Sequence, residues 1–81
     1  LSPDAATELA KLNLRLIGID APSIARYGVE NEVHRAFLSK NTIILEGADL
    51  SQVKPGLYRL VCLPLKIEGV EGTPVRAILL S

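Results

Sequence analysis

Four short runs of apolar residues constrain this chain more than any other feature: Leu14 to Ile19, Thr42 to Glu46, Leu57 to Ile67 and Val75 to Leu80. Each has the length of a strand and is bounded by residues that break one. Branched apolar side chains suit a pleated, buried surface, whereas Gly, Pro, Asn and Asp favour turns. Asn13 precedes the first run and Asp20-Ala-Pro22-Ser23 follows it, with Pro22 forcing an extended or turning backbone. Gly47 stops the second run, Pro55-Gly56 precedes the third, and the two glycines of Glu68-Gly-Val-Glu-Gly72 predict a hairpin-type turn before the fourth. The third run is apolar on both faces at its centre, the pattern of a central strand, and Pro64 inside it predicts a bulge or bend.

Two helices fit between these runs. Ser2 is an N-cap, Pro3 suits the first helical position and Asp4 the positive end of the helix dipole, so a helix is predicted from Pro3 to Leu12. Val29, Val33, Ala36 and Phe37 recur at helical spacing and predict a second helix over Glu30 to Ser39, closed by Lys40-Asn41. Ala48 to Gly56 reads as a loop with one helical turn at Leu50 to Val53. The order helix, strand, helix, strand, strand, strand predicts an α/β chain, a mixed sheet with two helices, in one domain over residues 1–81.

At 81 residues such a domain buries only about 60% of the surface its unfolded chain exposes. Two modest helices leave more apolar sheet than they cover, so something outside the chain is expected to cover the rest. The chain opens at Leu1 without any methionine, which reads as a processed product or a piece of something longer.

Charge excludes some partners. Nine Lys and Arg balance nine Asp and Glu, leaving no net field to attract nucleic acid or an anionic membrane. No apolar stretch approaches the roughly 18 residues of a membrane span, and no basic segment leads into a signal core. The single cysteine, Cys62, lies in an apolar run and offers neither an internal disulfide nor a cysteine metal cluster, which fits a soluble chain in the reducing cytoplasm.

His34 is the only histidine. It sits one residue past Val33, about 100° round the helix from the apolar stripe, at the flank of the buried face. Alone, such a residue reads as a surface or hydrogen-bonded structural histidine before it reads as chemistry. Glu46 is its candidate partner. From His34 to Lys40 the helix advances about 9 Å, and from Thr42 to Glu46 the strand returns about 13 Å, so both side chains reach one end of the layer. Imidazole and carboxylate there would form a partial zinc or manganese site, while on spacing alone the simpler reading of Glu46 is the exposed end of the strand before Gly47. Asp20 and Ser23 flank Pro22 where α/β chains place functional loops, and both also suit capping of their own turn. Lys66, Glu68 and Glu71 read as a solvated face. Arg76, within an apolar strand, requires a carboxylate or a route to water.

Five segments, in order and with compatible spacing, resemble one family: Gly18-Ile-Asp20-Ala-Pro22-Ser23, Val33-His34-Arg35, Ile44-Leu-Glu46-Gly, Leu63-Pro-Leu-Lys66 and Pro74-Val-Arg76-Ala. The match, over nearly the whole chain, is to the C-terminal portion of the cyclase and bacterial kynurenine formamidase (arylformamidase) family of metal-dependent hydrolases. The resemblance implies a swivelling β/β/α fold completed by an N-terminal region. It also implies one or two divalent metals, zinc or manganese, held partly by an N-terminal His-x-x-x-His-x-Asp motif and partly by a C-terminal histidine and glutamate. Those last two match His34 and Glu46.

By the same resemblance the activity is hydrolysis of an amide bond in a small molecule, such as N-formylkynurenine or a cyclic imide-like or isatin-type ring, by metal-activated water in a homo-oligomer. Asp20 and Ser23 would orient His34 or border the substrate. The His-x-x-x-His-x-Asp motif does not occur in these residues, so the chain alone is expected to be inactive. The competing expectation is a binding or assembly module that keeps the fold without the chemistry.

Overall fold

A computed structural model of the chain describes residues 1–64, 69 and 72–81. The expectations for Lys66, Glu68, Glu71, the end of the third apolar run and most of the turn after it lie outside the described residues. Leu1–Ser51 and Gln52–Ser81 form two compact units, where the sequence reading treats 1–81 as one.

The first unit begins with helix α1, Pro3–Ala10. Ser2 Oγ accepts from the Ala5 N–H at 3.2 Å, Pro3 occupies the first turn and Asp4 lies beside the positive helix end. The helix stops two residues before the expected Leu12, which is exposed. Asn13, with φ of 54°, takes the left-handed turn that leads out of it. Strand β1, Leu16–Gly18, follows, then helix α2, Glu30–Leu38, and strand β2, Ile43–Leu45. Asn41, with φ of 59°, ends α2 as Asn13 ends α1.

Strands β1 and β2 pair in parallel, Leu16 with Ile43, Ile17 with Ile44 and Gly18 with Leu45. Parallel neighbours need a long crossover, and α2 supplies it. Ala6 and Ala10 on α1, four residues apart, share one buried cluster with Val33 and Phe37, four apart on α2, and with Ile24 from the β1–α2 connection. Small residues on α1 leave room for the phenyl ring. Each full burial of Ile24, Val33 or Phe37 contributes about 1.5–3 kcal/mol. Thr42 is the buried polar residue of this unit, and its Oγ1 donates to the Leu14 carbonyl at 2.7 Å.

In the second unit, strand β3, Arg59–Pro64, pairs antiparallel with strand β4, Val75–Leu80. Register runs unbroken from Arg59 opposite Leu80 to Pro64 opposite Val75, so Pro64 closes the strand without the expected bulge among the described residues. Alternation puts Leu60, Cys62, Pro64, Val75, Ala77 and Leu79 on one face, with no charge among them. Leu60, Leu63, Ile78, Leu79 and Leu80 are exposed, in keeping with the expected shortage of cover. Arg76 reaches water directly. The α/β class with two helices is observed, with the described strands arranged as two two-stranded sheets, one parallel and one antiparallel.

Candidate metal centre

Both strands of the parallel pair end at the same edge, and the chain leaves each of them into a loop carrying a candidate residue. Asp20 and Ser23 follow β1. Glu46 directly follows β2. His34 stands on the middle turn of α2, beside the buried Val33, with its side chain 32% exposed.

The structure brings His34 and Glu46 together: His34 Nε2 lies 3.0 Å from Glu46 Oε2. The other ring nitrogen, Nδ1, lies 2.7 Å from the carbonyl oxygen of Glu30, one turn earlier on α2. A carbonyl only accepts, so Nδ1 carries a proton and donates it there. Nε2 then faces a carboxylate oxygen with its lone pair unless something positive stands between them. Either a second ring proton makes an ion pair, or a cation is shared.

Glu46 is held from a second side, since its Oε2 also accepts from the Ile24 N–H at 2.8 Å. Partial burial pushes its carboxyl towards the neutral form. Hydrogen bonds from the Ile24 backbone, the His34 ring and the Ser23 hydroxyl, together with the charge of His34, outweigh burial and hold it below the ordinary carboxylate value. The carboxylic acid therefore does not supply the proton between the two groups at neutral pH.

These residues fit a divalent ion. Neutral imidazole and carboxylate oxygen are donors that zinc and manganese accept. Two such atoms, each about 2.1 Å from a common ion, lie about 3.0–3.4 Å apart between right-angle and tetrahedral geometry. The pair stands at 3.0 Å. A histidine that binds metal through one nitrogen generally donates its other N–H to a carbonyl or carboxylate, the part Glu30 plays here. Among the described residues no group of three His, Cys, Asp or Glu side chains forms, so the pair can furnish two positions of a coordination shell and not a whole one.

Asp20 and Ser23 both accept from main-chain N–H groups. Asp20 Oδ2 accepts from the Leu50 N–H at 2.9 Å, tying the two loops together. Ser23 Oγ accepts from the Ala25 N–H at 3.1 Å, a local turn bond, and its hydroxyl also steadies the Glu46 carboxylate. The group that orients the imidazole is the Glu30 carbonyl. Sequence reasoning missed it and the Ile24 N–H because both are main-chain groups. The four-residue spacing from Glu30 to His34 on a predicted helix was the one available signal for the first, and the second had none.

No family model matches the chain. It is 45% identical over 70 residues to cyclase-like protein 2 of Oryza sativa subsp. japonica, a match covering 85% of this chain and 26% of that protein. It is 41% identical over 80 residues to the kynurenine formamidase of Salinibacter ruber (strain DSM 13855 / M31), covering 98% of this chain and 38% of the relative. Among solved structures, a predicted metal-dependent hydrolase from Bacillus stearothermophilus superimposes with a TM-score of 0.87 at 39% identity, over 95% of this chain and 38% of that one. The chain thus spans between about a quarter and two fifths of the length of the proteins it matches. Over the part that it spans, the chain is similar in sequence and in fold to cyclase-like proteins, a kynurenine formamidase and a predicted metal-dependent hydrolase.

Proposed function

We propose that this chain contributes His34 and Glu46 to the divalent metal centre, zinc or manganese, of a hydrolase that cleaves an amide bond in a small molecule of the N-formylkynurenine or cyclic-amide kind. The remaining ligands would come from a His-x-x-x-His-x-Asp region elsewhere in the polypeptide, and the 81 residues alone would be inactive. The observation that carries this reading is the 3.0 Å approach of His34 Nε2 to Glu46 Oε2 with Nδ1 engaged by a main-chain carbonyl. The names of the similar proteins, a kynurenine formamidase and a predicted metal-dependent hydrolase among them, support the reaction class.

The chemistry such an ion supplies when bound is polarisation of a carbonyl and activation of water near neutral pH. The chain's own residues prepare the place. Glu30 fixes the ring of His34 so that Nε2 is the atom presented. Glu46, ionised because Ile24, His34 and Ser23 favour its charged form, offers an oxygen beside that nitrogen. A small-molecule substrate, a homo-oligomer and a cytoplasmic setting belong to the same proposal.

The test is metal content and formamidase activity of a polypeptide joining this chain to the His-x-x-x-His-x-Asp region. Wild type should retain zinc or manganese through gel filtration, and His34→Ala and Glu46→Gln should each lose most of it along with activity. Metal content unchanged in both variants would overturn the ligand assignment. A wild-type assembly without bound metal or activity would favour a binding or assembly module with the same fold.

A further inference from the structure

We propose that Asp20 is a positioning residue for Glu46, acting through the loop that follows β2. The proposal rests on the reading of His34 and Glu46 as a metal-holding pair.

The parallel ladder continues one residue beyond the strands, where the Ile19 N–H donates to the Leu45 carbonyl at 2.9 Å. After that point the second loop folds back over the first. Gly47 turns at φ of +71°, a left-handed conformation that favours glycine. The turn lets the Gly47 N–H reach the Ala21 carbonyl at 2.6 Å and the Ala48 N–H reach the Ile19 carbonyl at 3.2 Å. Asp20 lies between those two acceptors, and its Oδ2 takes the Leu50 N–H at 2.9 Å. The arm from 47 to 50 is thus fastened to residues 19–21 at three points, and only the third depends on a side chain.

A contrast within the same loop shows that this is not ordinary turn chemistry. An aspartate that caps its own turn bonds two residues onward. Asp49 does so, accepting from the Ser51 N–H at 3.1 Å and the Ser51 hydroxyl at 2.7 Å. Asp20 instead reaches across 30 residues of sequence to the other loop. Glu46 stands at the root of the arm that this bond holds. Its carboxylate meets Ile24 N at 2.8 Å and His34 Nε2 at 3.0 Å. Hydrogen bonds lose strength over a few tenths of an ångström. Releasing the far end of the arm lets its root shift by that much.

Two readouts test the role in the polypeptide carrying the full metal site. The first, taken with a chelator present, is the amide proton of Ile24, whose chemical shift and exchange rate report its bond to Glu46. The second is zinc affinity by chelator competition. Removing a group that orients a ligand directly weakens binding about 10- to 100-fold. Asp20 acts one step further away, so Asp20→Ala is expected to weaken zinc binding by about 3- to 10-fold, and to move the Ile24 amide upfield with faster exchange. Asp20→Asn keeps an acceptor oxygen for the Leu50 N–H and should restore both readouts. Ser2→Ala, which removes the α1 cap, is the control for general destabilisation and should leave the Ile24 amide in place.

An Asp20→Ala variant with an unshifted Ile24 amide would overturn the positioning role, as would an Asp20→Asn variant no better than Asp20→Ala. Zinc affinity indifferent to both Asp20→Ala and Glu46→Gln, with the amide still displaced by Asp20→Ala, would instead strike the metal-holding reading and leave the positioning role standing.

Discussion

Replacing Glu46 with Gln tests whether the negative charge at this position stabilises the fold without any metal. Gln keeps the shape and an acceptor oxygen for the Ile24 N–H, so the substitution removes the charge and little else. A hydrogen bond to a charged group contributes about 1.5–3 kcal/mol against about 1 for a neutral pair, and Glu46 has two such partners, Ile24 N and His34 Nε2. Its side chain is 30% exposed. Solvent screening and desolvation therefore reduce the gain to about 1 kcal/mol. The sign in pH follows from the direction of the shift. Glu46 titrates lower in the folded chain than in the unfolded one, so its contribution is fully present above the unfolded value of about 4.3 and is lost as pH falls through the folded value. Urea unfolding of wild type and Glu46→Gln, with a chelator present, should show a gap of about 1 kcal/mol near pH 6 that shrinks as the solution is made more acidic than the unfolded value. A gap that stays constant or widens in acid would refute the electrostatic account of Glu46.

Two further outcomes concern packing. Phe37→Ala empties the centre of the Ala6, Ala10, Ile24 and Val33 cluster, and should cost about 3–5 kcal/mol, read as loss of the helical thermal transition; a loss below about 1 kcal/mol would mean that the two helices do not depend on this core. Leu79→Lys places a charge on the uncharged face of the β3–β4 ribbon and should lower self-association of the isolated chain by light scattering, whereas unchanged association would show that this face does not drive it.

Much of this arrangement was legible in the residues because local signals agreed. Ser2-Pro3-Asp4 marks the start of α1, the Val33 and Phe37 spacing marks the buried side of α2, and the branched run 42–46 marks β2. Rise per residue along a helix and a strand was enough to bring His34 and Glu46 to one end. Boundaries shifted by one or two residues where caps decide them, as at Leu12. The role of Asp20 was not legible, since its partner is a main-chain N–H 30 residues away. Every residue but proline carries such a group, so nothing in the sequence singles out Leu50. The breadth of the third run, apolar on both faces, reads as a central strand; β3 instead has a single described neighbour, because alternation says what a strand would bury and not which segment does the burying.

The separation between imidazole and carboxylate is determined by the protein core, independently of any ion. Ile24, whose N–H holds Glu46, is itself buried in the same cluster as Val33, the residue next to His34. The carboxylate is therefore referenced to the cluster that fixes the helix carrying the imidazole. Glu30 sets the ring from within that helix. Groups held this way lose their freedom when the chain folds, so a ligand that later joins them meets little further ordering cost. Two donors brought to 3.0 Å by hydrophobic packing would otherwise leave a lone pair facing a carboxylate, and a positive charge between them relieves that opposition. A proton serves when nothing else is present. Under the proposed reading a divalent ion would serve better, to the extent that ligands beyond this pair complete its shell.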